Sequence, residues 1–585
     1  MTAIIGINAF HGDASACLVV DGQLVAAIEE ERITRHKHSA GFPTGAIKAC
    51  LETANLTLDA IDYIAINRDH KQNIFKKLLY ILGNPQILKF AAIRLDNLKK
   101  ILSTRTVLIN NFGLSRFPGK VVSVEHHHAH LASAFYVSPF QSAAVVSVDG
   151  FGDFVSTKWA VGNRSGIRGI GEVRFPHSLG IFYTAVTQYL GFPNYGDEYK
   201  VMGLAPYGLP MYIGKMREVV HLTPNGRFEL NLRFFTHHLS GVPMTWVSGE
   251  PVIGSVFSQE LETLFGPKRR PSDPITQYHK DIAASAQAMY EQAFFHLLNH
   301  VQQHSGQNNL ALAGGCAMNS VANGKIFKKT NFKEIYIQSA AGDAGGAIGA
   351  AFAVWHDKLS RAERFEMGHA YWGPHFSNDY IKVVLHLAKE ELRDSNCLVE
   401  RIEDEHLLYQ NTAKAISRGL VIGWFQGRME WGPRALGNRS ILGDPRRADM
   451  KDILNLKIKR RESFRPFAPS ILREHVRDWF ETDYDVPFMM QVYQILEHKR
   501  AQIPAVTHVN GSGRLQTVTL DQNKRYYKLI SAFNDLTNIP MLLNTSFNEN
   551  EPVVCKPEEA LNCFLRTKMD ILVMGDYFIQ RAPIQ

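Results

Sequence analysis

The sequence predicts an α/β protein whose leading part uses one strand–turn–strand plan twice and whose trailing part is a separate α/β domain. Three observations point there. First, Thr2 to Ile7 is an apolar run, Asn8 to Ser15 is polar, and Ala16–Val20 is apolar again. Asp21-Gly22 then joins it to a third run over Gln23–Glu29. Asp-Gly between apolar runs is a strong hairpin signal. Second, the plan recurs where Ala143–Val148 meets Asp149-Gly150 and, after Gly152-Asp153, Val155–Val161 begins. Third, 585 residues exceed what one core organises, so two to four domains are expected. The charge-rich stretch 355–376, with Gly368, Gly373 and Pro374, is the expected linker between domains at 1–354 and 377–585.

Composition narrows the class. Hydrophobic content of 45% and charged content of 21% are ordinary for a globular protein. A net charge of +8 suits anionic small molecules as well as nucleic acid. No apolar run is long enough to span a bilayer. The first residues lack a basic, signal-like core, and the six cysteines are scattered without a CxxC pair. A reduced cytoplasmic setting is the expectation, with neither a disulfide frame nor a zinc ribbon.

In chain order, the loop with His11 and Asp13 either faces a cleft or is an ordinary polar turn. Strand, polar loop, strand, Asp-Gly turn and strand is how an actin-like or sugar-kinase-like nucleotide fold begins. The basic segment ending at Gly41-Phe42-Pro43, with Lys37 in it, is a phosphate contact or a solvated face. Thr44–Ala54 reads as helix and Ile61–Ile66 as strand. Residues 70 to 105 read as an amphipathic helical insertion, with packing favoured over a lipid-surface role.

His126-His127-His128-Ala129-His130 opens a helix rich in Ala and Leu. There His126 and His130, four apart, share a face and can ligate one metal ion. The strand that follows delivers Asp149, and two imidazoles with a carboxylate suit iron or zinc. Leu179–Leu190 reads as helix, residues 196–208 as a cleft loop, and Asp281–His300 as a long helix. Residues 209–275 carry no sharp signal. Leu310–Ala313 is a strand ending in Gly314-Gly315. Glycines there allow close backbone approach to a ligand, and Asn319 can donate to a ribose or base. Asp343 precedes a small-residue helix, either as its N-cap or as a fourth metal ligand.

In the second half, Val421–Gly427 is a strand with a turn. Arginines stand on separate loops: Arg434 and Arg439, then Arg460, Arg461 and Arg465 before the Pro466–Pro469 turn, then Arg514. The final loop holds Asn544 and Ser546. Such forks suit phosphate or another planar anion. No zinc finger or ribonucleoprotein motif accompanies them.

Taken together, these motifs resemble the NodU/CmcH/TobZ family of ATP-dependent carbamoyltransferases, over nearly the whole chain. The matching segments are Gly6–Ser15, His126–His130, Asp149-Gly150, Lys200–Gly208, Gly314–Asn319, Gly342–Gly346, Glu430–Ser440, Arg465–Pro469 and Asn544–Asn548. The resemblance implies an N-terminal TsaD-like domain of the actin (ASKHA) type and a C-terminal YrdC-like domain with a twisted mixed sheet. It implies that carbamoyl phosphate and ATP, with Mg2+, form carbamoyl adenylate in the second domain. The first would pass the carbamoyl group to a hydroxyl of a secondary-metabolite or sugar-type acceptor.

Carried over by motif, His126, His130, Asp149 and Asp343 hold Fe(II) or another divalent metal. Gly314, Gly315, Asn319, Asp343 and Lys37 serve the nucleotide, and Arg434, Arg465, Arg514, Asn544 and Ser546 bind carbamoyl phosphate. Asp149, Gly150 and Phe151 face the acceptor. His11, Asp149 and His127 are the candidates for the general base. The expected partners are these small molecules, without nucleic acid or membrane, and the sequence allows a homodimer. Two other readings remain at this stage: threonylcarbamoyl transfer to tRNA, and a non-enzymatic nucleotide- and metal-binding protein.

Overall fold

The protein is described from a computed structural model covering residues 1–69, 71–83, 103–240, 242, 244–247, 249–459, 462 and 464–582. Its chain forms two compact units, Met1–Met367 and Gly368–Gln585.

The first unit contains two five-stranded sheets with one shared topology. One runs in the order Gln23–Glu29, Ser15–Val20, Ala3–Asn8, Tyr63–Ile66, Lys120–Ser123. The other runs Gly166–Arg174, Val155–Asn163, Ala143–Gly152, Asn309–Ala313, Glu334–Ile337. In each, three strands form an antiparallel meander, and two more join in parallel beside its first strand. The Asp21-Gly22 turn is as the sequence suggests, with both residues at positive φ, 46° and 78°.

The small-residue helix Gly346–Ala353 packs between the first sheet and the helix His126–Phe135. Its composition follows from that position. A Cβ on Gly349 would lie 1.7 Å from the Ala129 carbonyl oxygen, and one on Gly6 would lie 1.9 Å from that of Ala347. The helix Gln277–Ser305, longer at both ends than its apolar stripe implied, buries Ile282, Met289, Ala293 and Leu297.

The second unit is built on one mixed nine-stranded sheet. Its order is Cys397–Arg401, Tyr577–Arg581, Ile571–Met574, Ile422–Phe425, Arg439–Gly443, Met541–Ser546, Ala468–Leu472, Ser512–Val518, Gln491–Gln494. Two of its pairings are parallel and the rest antiparallel. The helices Glu405–Ser417 and Lys524–Thr537 bury Leu408, Ile416, Leu529 and Phe533 in its core.

Several expectations are corrected. Residues 196–208 are not a loop: Glu198–Leu204 is a helix and Ala205–Tyr207 a 3-10 turn, because Glu-Tyr-Lys-Val-Met tolerates one internal glycine. Asn544 and Ser546 lie on the strand Met541–Ser546 rather than a loop, paired with Leu442 and Ser440. Pro469 lies within a strand rather than a turn.

The stretch 355–376, expected as the linker, contains the boundary between the two units after Met367, and each of its ends is held within its own unit. Arg364 donates to the Phe140 carbonyl at 2.8 Å and the Met367 amide to Val137 at 2.9 Å. Further on, Gly373 and Met429 are joined through their backbones at 2.9 Å. Of the expected insertion 70–105, helices form at Ile74–Gly83 and Thr104–Phe112. His70 and residues 84–102 lie outside the described residues, as do Arg460 and Arg461.

Candidate active site

The helix His126–Phe135 begins where Glu125 caps it, accepting from the amides of His127 and His128 at 3.0 and 2.8 Å. Lys158 holds that carboxylate at 2.7 Å. Burial alone would raise the Glu125 pKa, but Lys158, then the neighbouring His127 with its amide, bring it down to about 2. The helix therefore starts at a fixed point, and its first turn aims His126 and His130 at one spot. Their Nε2 atoms are 3.1 Å apart.

The strand Ala143–Gly152 brings Asp149 to the same place. It does not end at Asp149, as the sequence implied. It continues irregularly, its pairing register breaking between Val148 and Gly152, and turns at Asp153 and Phe154 with φ of 48° and 76°. Inside that irregularity Asp149 Oδ2 sits 3.1 Å from His126 Nε2 and 3.6 Å from His130 Nε2. Asp149 Oδ1 accepts the Gly315 amide at 2.7 Å. Gly314, at φ 90°, lies so close to Val148 that a Cβ would meet its carbonyl oxygen at 2.2 Å.

Asp343 completes the group, with Oδ1 at 3.3 Å from His130 and 3.6 Å from His126, and Oδ2 at 2.8 Å from His11 Nδ1. It does not cap the helix that follows. All four ligand-type residues are buried, and one donor atom from each lies within 4.8 Å of the others.

Electrostatics favour a cation here. Burial and the Asp149 charge both push Asp343 upward, yet His11 and His130 hold it below the ordinary carboxylate range. Burial disfavours charge on His130, and the Asp149 and Asp343 carboxylates facing its Nε2 reverse this, lifting it to about 10. Two carboxylates and two imidazole nitrogens facing one point otherwise have to share protons. Asp343 Oδ1, which faces His126 and His130, is buried without a hydrogen-bond partner among the described residues. Two nitrogens and two carboxylate oxygens fit a divalent first-row metal.

The other expected residues of this unit separate into two groups. Gly150 has no atom within 4 Å of where a Cβ would stand, so it borders open space, and Phe151 packs on Phe175 at 5.0 Å. His11 lies beside the cluster. His127, by contrast, is fully buried and points away. Its Nε2–H donates to the Val155 carbonyl at 2.9 Å, and its Nδ1 accepts from Ser147 at 2.9 Å. Burial, then the neighbouring His126, lowers its pKa to about 3, so the expectation of a base at His127 is corrected.

Asp149 has both oxygens engaged and is a ligand-type residue rather than a free base. Asn319 caps the turn at Ala322 and exchanges two hydrogen bonds with Gln287, at 3.0 and 3.2 Å; its oxygen accepts from Ala322 and Gln287, and its NH2 gives one of its two donors to Gln287. Lys37 is exposed, and its neighbour His38 binds the loop, with Nδ1 at 2.7 Å from Asp13 Oδ1.

In the second unit, Glu430 shapes the loop that carries Arg434. Its Oε1 accepts the amides of Leu436, Asn438 and Arg439 at 2.9, 2.8 and 3.1 Å. Arg434 and Arg514 are half-buried, and Arg465 pairs with Glu462 at 3.5 Å. Asn544 is buried against the Ala435 carbonyl, Ser470 and Gln516, with its Oδ1 unpartnered among the described residues. Ser546 meets Asn548 at 2.7 Å and the ammonium of the buried Lys459 at 3.3 Å. Arg439 has a structural role: it donates to carbonyls of Gln426, Asn438 and Gly427 and lies over the Phe425 ring at 3.7 Å.

Comparison with known proteins bears directly on these two units. A family model described as carbamoyltransferase N-terminus matches residues 3–352, and one described as carbamoyltransferase C-terminus matches residues 413–581. The chain belongs to the carbamoyltransferase family. Among its relatives, nodulation protein NolNO of Sinorhizobium fredii is 38% identical over 98% of this chain and 80% of its own. An uncharacterized protein of Synechocystis is 42% identical, covering 100% of this chain and 97% of its own. The 3'-hydroxymethylcephem-O-carbamoyltransferase of Amycolatopsis lactamdurans is 32% identical over 47% of this chain and 49% of its own.

In this carbamoyltransferase several supporting residues escape sequence reasoning. A Cβ on Gly152 would stand 1.9 Å from the His126 ring, so only glycine admits the imidazole there. Asp153 Oδ2 accepts the His126 amide at 3.0 Å and the Asp69 amide at 2.9 Å. Glu125 is an uncommon capping type, and nothing local marks it. The aspartate after Gly152 was readable only as a turn residue.

Proposed function

We propose that the protein is an ATP-dependent O-carbamoyltransferase acting on a small-molecule hydroxyl of secondary-metabolite or sugar type. On this reading the second unit is YrdC-like: water takes the phosphoryl group of carbamoyl phosphate, releasing phosphate and carbamate, and the carbamate oxygen then bonds to the α-phosphorus of ATP as pyrophosphate leaves. The first unit is TsaD-like, of the actin type, and receives the carbamoyl adenylate. There the acceptor oxygen bonds to the carbamoyl carbon, the carbon–oxygen bond to AMP breaks, AMP leaves, and the hydroxyl proton passes to a base.

The observation that carries this reading is the buried four-residue cluster beside the Gly314-Gly315 turn and the open face of Gly150. His126, His130, Asp149 and Asp343 would hold Fe(II) or another divalent ion, which supplies Lewis acidity to a bound carbonyl or phosphate oxygen. Gly314 and Gly315 offer close backbone approach to the adenylate. His11, fixed by Asp343 and half-buried, is in position to take the acceptor proton. Gly150 and Phe151 border the acceptor. Arg434, Arg465 and Arg514, with Asn544 and Ser546, would bind carbamoyl phosphate and its charge.

The test is radiolabelled carbamoyl phosphate with ATP and Mg2+, offered to a panel of hydroxylated small molecules in one arm and to tRNA with threonine in the other. Label entering a small molecule, with AMP released, supports the proposal. Label entering only tRNA, or no pyrophosphate release with every substrate present, overturns it.

A further inference from the structure

In the second unit, the turn 507–511 leads into the strand Ser512–Val518 and is held at both ends. The Lys451 ammonium donates to the Thr507 carbonyl at 2.9 Å, and the Thr507 hydroxyl donates to the Ile503 carbonyl at 2.9 Å. The His508 amide donates to the Ser512 carbonyl at 2.8 Å, and the Gly511 amide to the His508 carbonyl at 2.9 Å.

The side chains of this turn form a directed chain. Asn510 Oδ1 accepts the Ser512 hydroxyl at 2.7 Å and the Ser512 amide at 3.3 Å. With its proton given to Asn510, the Ser512 oxygen faces His508 Nδ1 as an acceptor, at 3.4 Å. Nδ1 therefore carries the ring proton, and Nε2 carries a lone pair. That Nε2 is buried without a hydrogen-bond partner among the described residues. Burial, then the charges of Arg514 and Lys451, lower the His508 pKa to about 3, so the ring is neutral. A base oriented by a further side chain is the arrangement that general-base sites use.

The surroundings of this nitrogen select its ligand. Ser512, Arg514 and Gln516 alternate along the strand and share one of its faces. Gln516 Oε1 accepts from Asn544 at 3.0 Å and from the Ser470 hydroxyl at 2.5 Å. Arg514 thus stands between the residue that meets His508 and the residue that meets Asn544. The charged groups that act on His508, Arg514 and Lys451, are both cations. Two cations beside an unprotonated nitrogen suit a phosphoryl group with a water against it. The anion meets the cations, and the nitrogen takes a proton.

We propose that His508 is a catalytic residue of the carbamoyl phosphate step, with Nε2 as the base for the water that attacks the phosphoryl group. The water oxygen bonds to phosphorus, the bond from phosphorus to the carbamoyl oxygen breaks, and carbamate leaves as an anion. One proton of the water passes to Nε2 and from there to the phosphate, which departs as dihydrogen phosphate. The inference rests on the reading that the second unit cleaves carbamoyl phosphate.

The experiment gives the full-length protein carbamoyl phosphate and ATP in water enriched in heavy oxygen, and follows phosphate and pyrophosphate separately. Wild type is expected to release phosphate that carries the heavy oxygen. His508→Gln should release phosphate about 10²–10⁴-fold more slowly, with KM for carbamoyl phosphate within a few-fold. Ammonium carbamate supplied with ATP enters after this step, so the variant should then release pyrophosphate as fast as wild type. The inference is overturned if the variant releases phosphate within a few-fold of wild type, or if the released phosphate holds no heavy oxygen. It is also overturned if carbamate-driven pyrophosphate release falls as far as phosphate release, which would make the change a general defect of the unit. Release of labelled phosphate that depends on His508, without pyrophosphate, would support this step while overturning the adenylate reading.

Discussion

The two five-stranded sheets of the first unit share an order but differ at the tips they send toward the site. In the first sheet the strand Ala3–Asn8 stops cleanly. The loop after it holds Phe10 and Asp13 at φ of 60° and 58°, and its side chains stay half-exposed, His11 against Asp343 and Asp13 against His38. In the second sheet Ala143–Gly152 runs on through a break in register, and the break places Asp149 in a buried cluster. The comparison teaches that one repeated scaffold yields a buried cluster of ligand-type groups where the strand is interrupted from within, and half-exposed polar pairs where it gives way to a loop.

That contrast can be broken first at its buried end. Asp149→Ala or His130→Ala removes a ligand-type group from the proposed metal centre and leaves buried partners unsatisfied. Carbamoyl transfer should fall on the order of 10³-fold or more, and metal content measured by mass spectrometry should fall with it. Normal turnover in either variant would mean that the cluster is a structural charge network only. Next in size is Gly152→Ala, which touches no ligand atom but drives a methyl into the His126 ring. Metal affinity should drop roughly 10–100-fold, the scale of a lost supporting contact, as read by competition with a chelator.

His127→Gln tests the correction made above. Because the imidazole is buried with both nitrogens bonded, denaturant unfolding should register a loss of about 1–3 kcal/mol. Turnover of the metal-loaded variant should stay within a few-fold. A loss of roughly 10²–10⁴ in turnover would restore His127 as a base.

The smallest effect lies at the loop tip of the first sheet. Burial alone lowers the His38 pKa, but the Asp13 charge and hydrogen bond reverse this and lift it to about 9. A histidine raised on folding contributes stability that is full below its ordinary value of 6.5 and is lost as pH rises through about 9. Asp13→Asn should therefore melt below wild type near about pH 6, with the gap closing by about pH 10. A gap that is independent of pH would show that the pair does not titrate as described.

Much of this was legible in the sequence. The hairpins, the repeated plan and the i, i+4 histidine pair depend on local rules, namely turn chemistry and helical spacing. The site's supports were not legible, because they arise from contacts far apart in sequence. Nothing near Gly152 says that an imidazole from residue 126 fills the space where its side chain would be. Nothing near Asn319 reveals that Gln287 claims its amide. His127 and His130 look alike as letters, and only helix phase against Ser147 and Val155 turns one into the core and the other toward Asp149. The strand identity of Asn544 was hidden by its polar neighbours, whose pairing with Ser440 and Leu442 overrides their turn preference.

The central claim is that four buried side chains from a helix, an interrupted strand and a glycine-rich turn form one metal centre. Crystals of the purified protein, measured at the absorption edge of the metal found in it, test this most directly. The account predicts a single anomalous peak within coordination distance of His126, His130, Asp149 and Asp343. Metal-free protein that is fully active, or a peak held by other residues, would contradict it.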